Sequence, residues 1–199
     1  MEPDPSNPRL GLRDRKKREA QRAIRAAALR LFIEHGYGTV SIEQIAEAAD
    51  VSRTTFFNYF PSKEAVVLEP DPSQAEVWQQ LRTERPLGEP LWQSLTAILL
   101  GSIECSRDWV KVQKLLKAAE PASNPMMHDA GDRLFRELYA WVEARIPPEG
   151  RAAGHLQLNI ALSAVMTAFE QWDIEQPFET LVGTVSAYLD QLGRAFAAD

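Results

Sequence analysis

The 199-residue chain predicts an all-α fold, on three observations. Apolar residues recur at three- and four-residue spacing over most of its length. Proline clusters at 70–72, 86–90, 121–125 and 147–148 break that pattern into pieces of helical length. No run alternates with period two far enough to make a strand. The predicted architecture is a disordered tail over 1–10, a three-helix helix-turn-helix head over 11–67 and a larger helical body over 68–199.

The elements follow in order. Residues 1–8 carry three prolines and no periodicity, and read as a tail. From Gly11 the pattern turns helical. Ala20, Ile24, Ala27, Ala28, Leu31 and Phe32 form an apolar stripe, Arg15, Arg18, Arg22 and Arg25 line another face, and Gly36 stops the helix just after His35. Ser41 then opens an N-cap with Gln44 three residues on, the spacing of a capping box, and Ile45, Ala46 and Ala49 face inward. Ala49-Asp50-Val51 makes a tight turn, Ser52 caps again, and about two turns run to Phe60 before Pro61. Ser62 caps a fourth helix ending near Leu68. Beyond it the spacing predicts helices over 73–83, 90–104, 106–119, 125–145, 151–174 and 178–197.

Composition bounds the function. The chain is 45% hydrophobic and 25% charged, as globular domains are. The single Cys105 excludes an internal disulfide and any CxxC motif, and reads as a buried, inert thiol. No apolar run is expected to span a bilayer, and MEPDPSNPRL lacks the basic-then-apolar order of a signal peptide, so the expectation is a cytoplasmic protein with no membrane partner. The net charge of −6 conceals an asymmetry: residues 9–30 sum to +7, residues 68–199 to −8. A basic end on an acidic chain suits a polyanion; a solvated charged helix face is the plain alternative.

A short helix, a three-residue turn and a second short helix match a helix-turn-helix, whose second helix enters the major groove of DNA. Phe56 and Phe60, four apart, face inward. Arg53, Thr54, Thr55, Phe57, Asn58 and Tyr59 face outward. Aromatic, hydroxyl, amide and guanidinium groups on one face suit thymine methyls, base edges and phosphate; an aromatic-rich packing helix is the other reading.

Residues 20–66 resemble the DNA-binding domain of the TetR family of bacterial transcriptional regulators. The resemblance rests on A-x-x-L-F-x-x-x-G-Y (Ala28 to Tyr37), V-S-x-x-x-I-A (Val40 to Ala46) and V-S-x-x-T-F-F-x-Y-F-x-S-K-E (Val51 to Glu64). It implies a homodimer that binds double-stranded DNA, most often as a repressor, and a body that binds a small effector. It places Arg53, Thr54, Thr55, Phe57, Asn58 and Tyr59 on the recognition helix, and Ser41 at the preceding cap. Lys63 falls where the family commonly touches phosphate. Arg13, Arg15, Lys16, Lys17 and Arg18 resemble the basic arms that reach neighbouring phosphates or the minor groove. Two positions depart from the pattern. Phe57 stands where tyrosine is frequent, and Glu43 stands where some members carry a basic, base-reading residue.

In the body, helix 151–174 is apolar on two faces and must bury both. Ile160, Ala164, Ala168 and Trp172, with Val185, Tyr188 and Leu192 of the last helix, are the predicted dimer interface, and small Gly183 and Ala187 permit close approach; an intrachain core is the alternative. Trp109, Trp141, Met166 and Phe169 are the predicted walls of an effector cavity for an apolar or aromatic compound, against a reading as ordinary core. No catalytic residue, cofactor or metal is predicted. HExxH, GxSxG and GxxxxGK[ST] are missing from the sequence, and His128, Asp129 and Asp132 read as solvated groups at a helix start. A helical adaptor that ignores DNA is the competing class.

Overall fold

The computed structural model describes residues 12–68, 72–119 and 129–196, with side chains over 16–68, 74–119 and 135–196. The predicted tail, the first residues of the predicted 125–145 helix, residue 197 and the Arg13, Arg15, Asp129 and Asp132 side chains lie outside those limits. The described residues are helical: α1 (Leu12–His35), α2 (Ile42–Ala48), α3 (Arg53–Tyr59), α4 (Lys63–Leu68), α5 (Pro72–Thr83), α6 (Leu91–Cys105), α7 (Arg107–Ala119), α8 (Asp129–Arg145), a 3-10 turn (Pro148–Gly150), α9 (Arg151–Gln171) and α10 (Phe178–Phe196). They group into two compact units that divide between Val67 and Leu68.

In the first unit the α1 stripe of Ile24, Ala28 and Phe32 is fully buried, together with Ile45 of α2, Phe56 of α3 and Val66 and Val67 of α4. Spacings of four explain why α1 and α3 each turn one apolar edge inward. The caps form as their sequence spacing requires. The Ser41 hydroxyl accepts from Gln44 N at 3.2 Å while Ser41 N donates to Gln44 Oε1 at 2.8 Å. Ser52 Oγ accepts from Thr55 N at 3.0 Å, and Ser62 Oγ from Ala65 N at 3.2 Å. Gly36 ends α1 at φ +84°, a conformation that favours glycine.

One of the basic residues placed on the outer face of α1 is not there. Arg25 is 6% exposed, its Nε donates to Val66 O at 3.0 Å, and its guanidinium lies 5.3 Å from the Phe60 ring centroid. It is a buried tie between α1 and the end of α4.

The second unit is built around Leu95 (α6), Leu138 and Val142 (α8), Leu158 and Ala161 (α9) and Leu181, Val185 and Leu189 (α10). Gly154 lets α8 and α9 meet closely: a Cβ there would stand 2.2 Å from Ile146 Cδ1. Trp92 of α6 is fixed by its indole N–H, which donates to Leu189 O at 3.0 Å, and by the Phe196 ring 4.7 Å away. Three expectations need correction. Helix α9 ends at Gln171 rather than 174, because Trp172 turns to extended backbone (ψ 130°), packs edge-on against Phe178, and the Asp173 carboxylate accepts from Glu175 N. Residues 148–171 do reach the length and apolarity of a membrane span, with a mean hydropathy of 1.2 over an 18-residue window. Within this unit Leu158, Ala161, Ala168 and Phe169 of that helix are core residues. Cys105 is exposed, not buried.

The turn between α2 and α3 carries the head's single non-glycine residue with positive φ among those described, Asp50 at +53°. Left-handed backbone costs an ordinary L-residue roughly 1–2 kcal/mol, and a β-branched residue more. Asp50→Gly is expected to leave urea stability unchanged or raise it slightly, and Asp50→Val to lower it by about 1–2 kcal/mol. Equal stabilities for the two variants would show that the turn relaxes out of this conformation.

Candidate nucleic-acid interface

Helix α3 has only seven residues, so its orientation comes from its anchors. Phe56 and Phe60 are buried, 6.0 Å apart between centroids. Arg53, Thr54, Phe57 and Asn58 are exposed as a result, while Thr55 and Tyr59 are half-buried. Thr55 is partly engaged locally, its Oγ1 2.8 Å from Ser52 Oγ. Phe57 meets Phe56 edge-on at 5.6 Å and stays 42% exposed, a large apolar surface left in water.

Arg53 is held on two sides. Its Nε lies 2.9 Å from Glu43 Oε1 on α2, and its guanidinium 5.3 Å from the Phe57 ring centroid. Glu43, set aside by the sequence reading as a base contact, therefore positions a neighbour that carries the longest polar reach on α3. Spacing alone gave no sign of this pair, because the two residues lie on different helices across the turn.

Lys63, expected to touch phosphate, is engaged inside the head. Its Nζ donates to Tyr37 O at 2.8 Å and Val40 O at 3.1 Å and lies 4.2 Å from the Tyr37 ring centroid. Two of its three N–H groups thus fasten the start of α4 to the α1–α2 turn. Beside it, the Tyr37 hydroxyl donates to Glu64. Burial pushes the Glu64 carboxyl up, but the Tyr37 hydrogen bond, its own backbone N–H, Ser62 and the Lys63 charge outweigh that and hold it below the ordinary 4.5. On the flank of α1, Lys16 and Lys17 are exposed and Arg18 half-buried; the exposed Ser41 sits at its cap.

In the second unit a cavity of about 90 Å³ opens among Trp78, Ser102, Trp109, Gln113, Phe135 and Phe169. Trp109 and Phe169 were expected there. Trp141 and Met166 do not line it. Phe135 takes the α8 position instead, six residues and about 9 Å back along the helix from Trp141, whose ring stacks with Arg145 at 4.9 Å. A separate open groove runs between α9 and α10, lined by Ile160, Ala164, Tyr188 and Leu192. Ala168, Trp172 and Val185, assigned to the same surface from sequence, are 1%, 3% and 0% exposed within the chain's own core. Their side chains are already covered, and a partner cannot touch them. Among the described residues no three metal-ligating side chains converge.

Two outcomes are expected. Lys63→Met should destabilise the first unit by about 1–2 kcal/mol in chemical denaturation and leave the salt dependence of DNA affinity unchanged; the opposite pattern would return Lys63 to the phosphate contacts. Because the folded Glu64 pKa is depressed, its contribution is full above pH 4.5 and is lost as pH falls through the folded value. Tyr37→Phe should raise that pKa in a carboxyl NMR titration and move acid unfolding to higher pH.

The family model described as bacterial regulatory proteins of the tetR family matches residues 24–69, from the α1 stripe to just past α4. The HTH-type transcriptional regulator TcmR of Streptomyces glaucescens is 38% identical over 98 residues, 49% of this chain and 43% of that protein. RutR of Escherichia coli K12 is 34% identical over 120 residues, 60% of this chain and 56% of RutR. The matches thus span about half the length of these relatives. A solved transcriptional regulator from Aquifex aeolicus VF5 superposes with a TM-score of 0.59 at 19% identity, over 87% of this chain and 99% of that one, a likeness of fold. With its capped α2–turn–α3 unit and this match across it, the stretch 24–69 is a DNA-binding head of the kind the tetR family of bacterial regulatory proteins carries, and the body shares the fold of solved transcriptional regulators.

Proposed function

We propose that the chain is a cytoplasmic transcriptional regulator, a repressor, that binds a pseudo-palindromic operator as a symmetric dimer and is released by a small apolar or aromatic effector. One observation carries the reading: the exposed row Arg53, Thr54, Phe57 and Asn58 on a helix whose opposite edge is locked into the head by Phe56 and Phe60. That row supplies a guanidinium for guanine O6 and N7, an amide for adenine N6 and N7, and apolar surface for thymine methyls. Lys16 and Lys17 add phosphate attraction that carries no sequence information.

The groove between α9 and α10 supports the dimer. Ile160, Ala164, Tyr188 and Leu192 line it, and Gly183 and Ala187 on α10 are exposed where a second helix would approach. A two-fold axis there would use the same surface from both copies. The cavity in the body supports an effector site. An effector with different affinities for the DNA-competent and DNA-incompetent arrangements shifts their balance, and a coupling of about 1–3 kcal/mol lowers operator affinity 5- to 150-fold.

Selection of bound duplexes from random DNA tests the operator. The expected winners have inverted symmetry and are bound by a species of twice 22.4 kDa; asymmetric winners bound by a monomer would sink the reading. Arg53→Ala is expected to relax preference at one base pair per half-site, by about 1–3 kcal/mol. Glu43→Gln frees the Arg53 fork and should blur preference at that same pair. An unchanged motif in both variants would reassign Arg53 to the backbone.

A further inference from the structure

Phe57 is the side chain of α3 whose exposure needs a reason. Among the described residues of the head, Ile33 on α1 and Phe57 are the large apolar side chains left exposed, at 38% and 42%. The helix gives Phe57 no way in. Phe56 and Phe60 hold the inward edge, and one residue on from Phe56 the side chain is turned about 100° away from it. The Phe57 ring meets Phe56 edge-on at 5.6 Å and has the Arg53 guanidinium 5.3 Å from its centroid. A phenyl ring offers no conventional hydrogen bond, so it can neither bond a phosphate nor read a polar base edge. In the major groove a single apolar group marks a base, the C5 methyl of thymine, where cytosine carries only hydrogen.

We infer that Phe57 is a specificity-determining residue that reads a thymine methyl group within two base pairs of the guanine that Arg53 takes. It rests on the operator reading above and adds which base the ring faces. Residues 53 and 57 lie four apart on one edge of α3. The 5.3 Å between guanidinium and ring falls between one and two steps of a duplex that rises about 3.4 Å per base pair, so the two side chains serve neighbouring pairs. Each half-site is then chosen for a methyl group as well as for hydrogen-bonding edges. Covering that methyl with a ring already in water is worth about fourfold in affinity.

The test removes one methyl group from the DNA and leaves base pairing intact. In the selected duplex each thymine of a half-site is replaced in turn by deoxyuridine, and binding to the full chain is read by fluorescence anisotropy. One thymine, within two base pairs of the pair whose preference relaxes in Arg53→Ala, is expected to show a loss of about fourfold, and about 16-fold when both half-sites are substituted. At that position 5-methylcytosine paired with guanine should bind about fourfold tighter than cytosine paired with guanine, because the methyl group projects into the same groove. Phe57→Ala should lose a similar factor on the thymine duplex and become indifferent to deoxyuridine there. The deoxyuridine series uses the unaltered chain, so it decides the matter even if Phe57→Ala fails to fold. Binding that ignores every deoxyuridine substitution in that window would overturn the role of Phe57. So would a Phe57→Ala variant that keeps the sensitivity, since Thr54, also exposed on α3, would then be reading the methyl. A uniform loss on all duplexes would place the ring against the sugar-phosphate backbone instead. Failure to select any duplex would retire the operator reading itself, a result distinct from tight binding that is blind to methyl groups.

Discussion

Seven residues are too few to hold an α-helix in water, so α3 exists because of what it buries. Phe56 and Phe60 enter the head core on one edge, and that commitment decides which side chains are left to face a duplex. The local caps serve the same end. Ser52 satisfies the backbone of the first turn, and Asp50 accepts a left-handed conformation so that the chain reverses within three residues. Losing either phenylalanine would cost about 3–5 kcal/mol and would unseat the exposed face of α3 together with the stability.

The head's cations divide by task. Lys63 resembles a phosphate ligand and Arg25 belongs by sequence to the basic face of α1, yet the head uses both inside itself, on Tyr37 O and Val40 O and on Val66 O. Each satisfies carbonyl groups that the helix ends and turns leave open. The exposed positive charge of the head is therefore smaller than the +7 of residues 9–30 suggests, and under the proposed function Lys16, Lys17 and Arg53 carry the field toward DNA. Arg53 in turn lies against Glu43 and Phe57, an exposed pairing worth about 0–1 kcal/mol that biases its direction without fixing it.

How legible this was in the sequence depended on the range of the interaction. Caps, turns and the inward edges of α1 and α3 are encoded within four residues, and the periodicity reads them correctly. Arg25 was legible in principle: it falls between Ile24 and Ala27, within the apolar stripe, where a charge must find a partner. The Glu43–Arg53 and Lys63–Tyr37 contacts join separate elements, and no spacing rule reaches them. The same holds in the body. Helix α9 is apolar all round, so its sequence shows that two faces must be covered but not which covers which. Val185, Ala168 and Trp172 proved to be core, Tyr188 and Leu192 groove, and Phe135 rather than Trp141 reached the cavity.

The central claim is that α3 reads base edges in the major groove, once in each of two symmetric half-sites. Methylation interference on a selected duplex tests it most directly, because dimethyl sulfate marks guanine N7 in the major groove and adenine N3 in the minor groove. The account predicts interference by N7-methyl groups in two clusters related by inverted symmetry and about one helical turn or a multiple apart, with N3-methyl groups at the cluster centres tolerated. Interference confined to adenine N3, or a single unrepeated cluster, would contradict it.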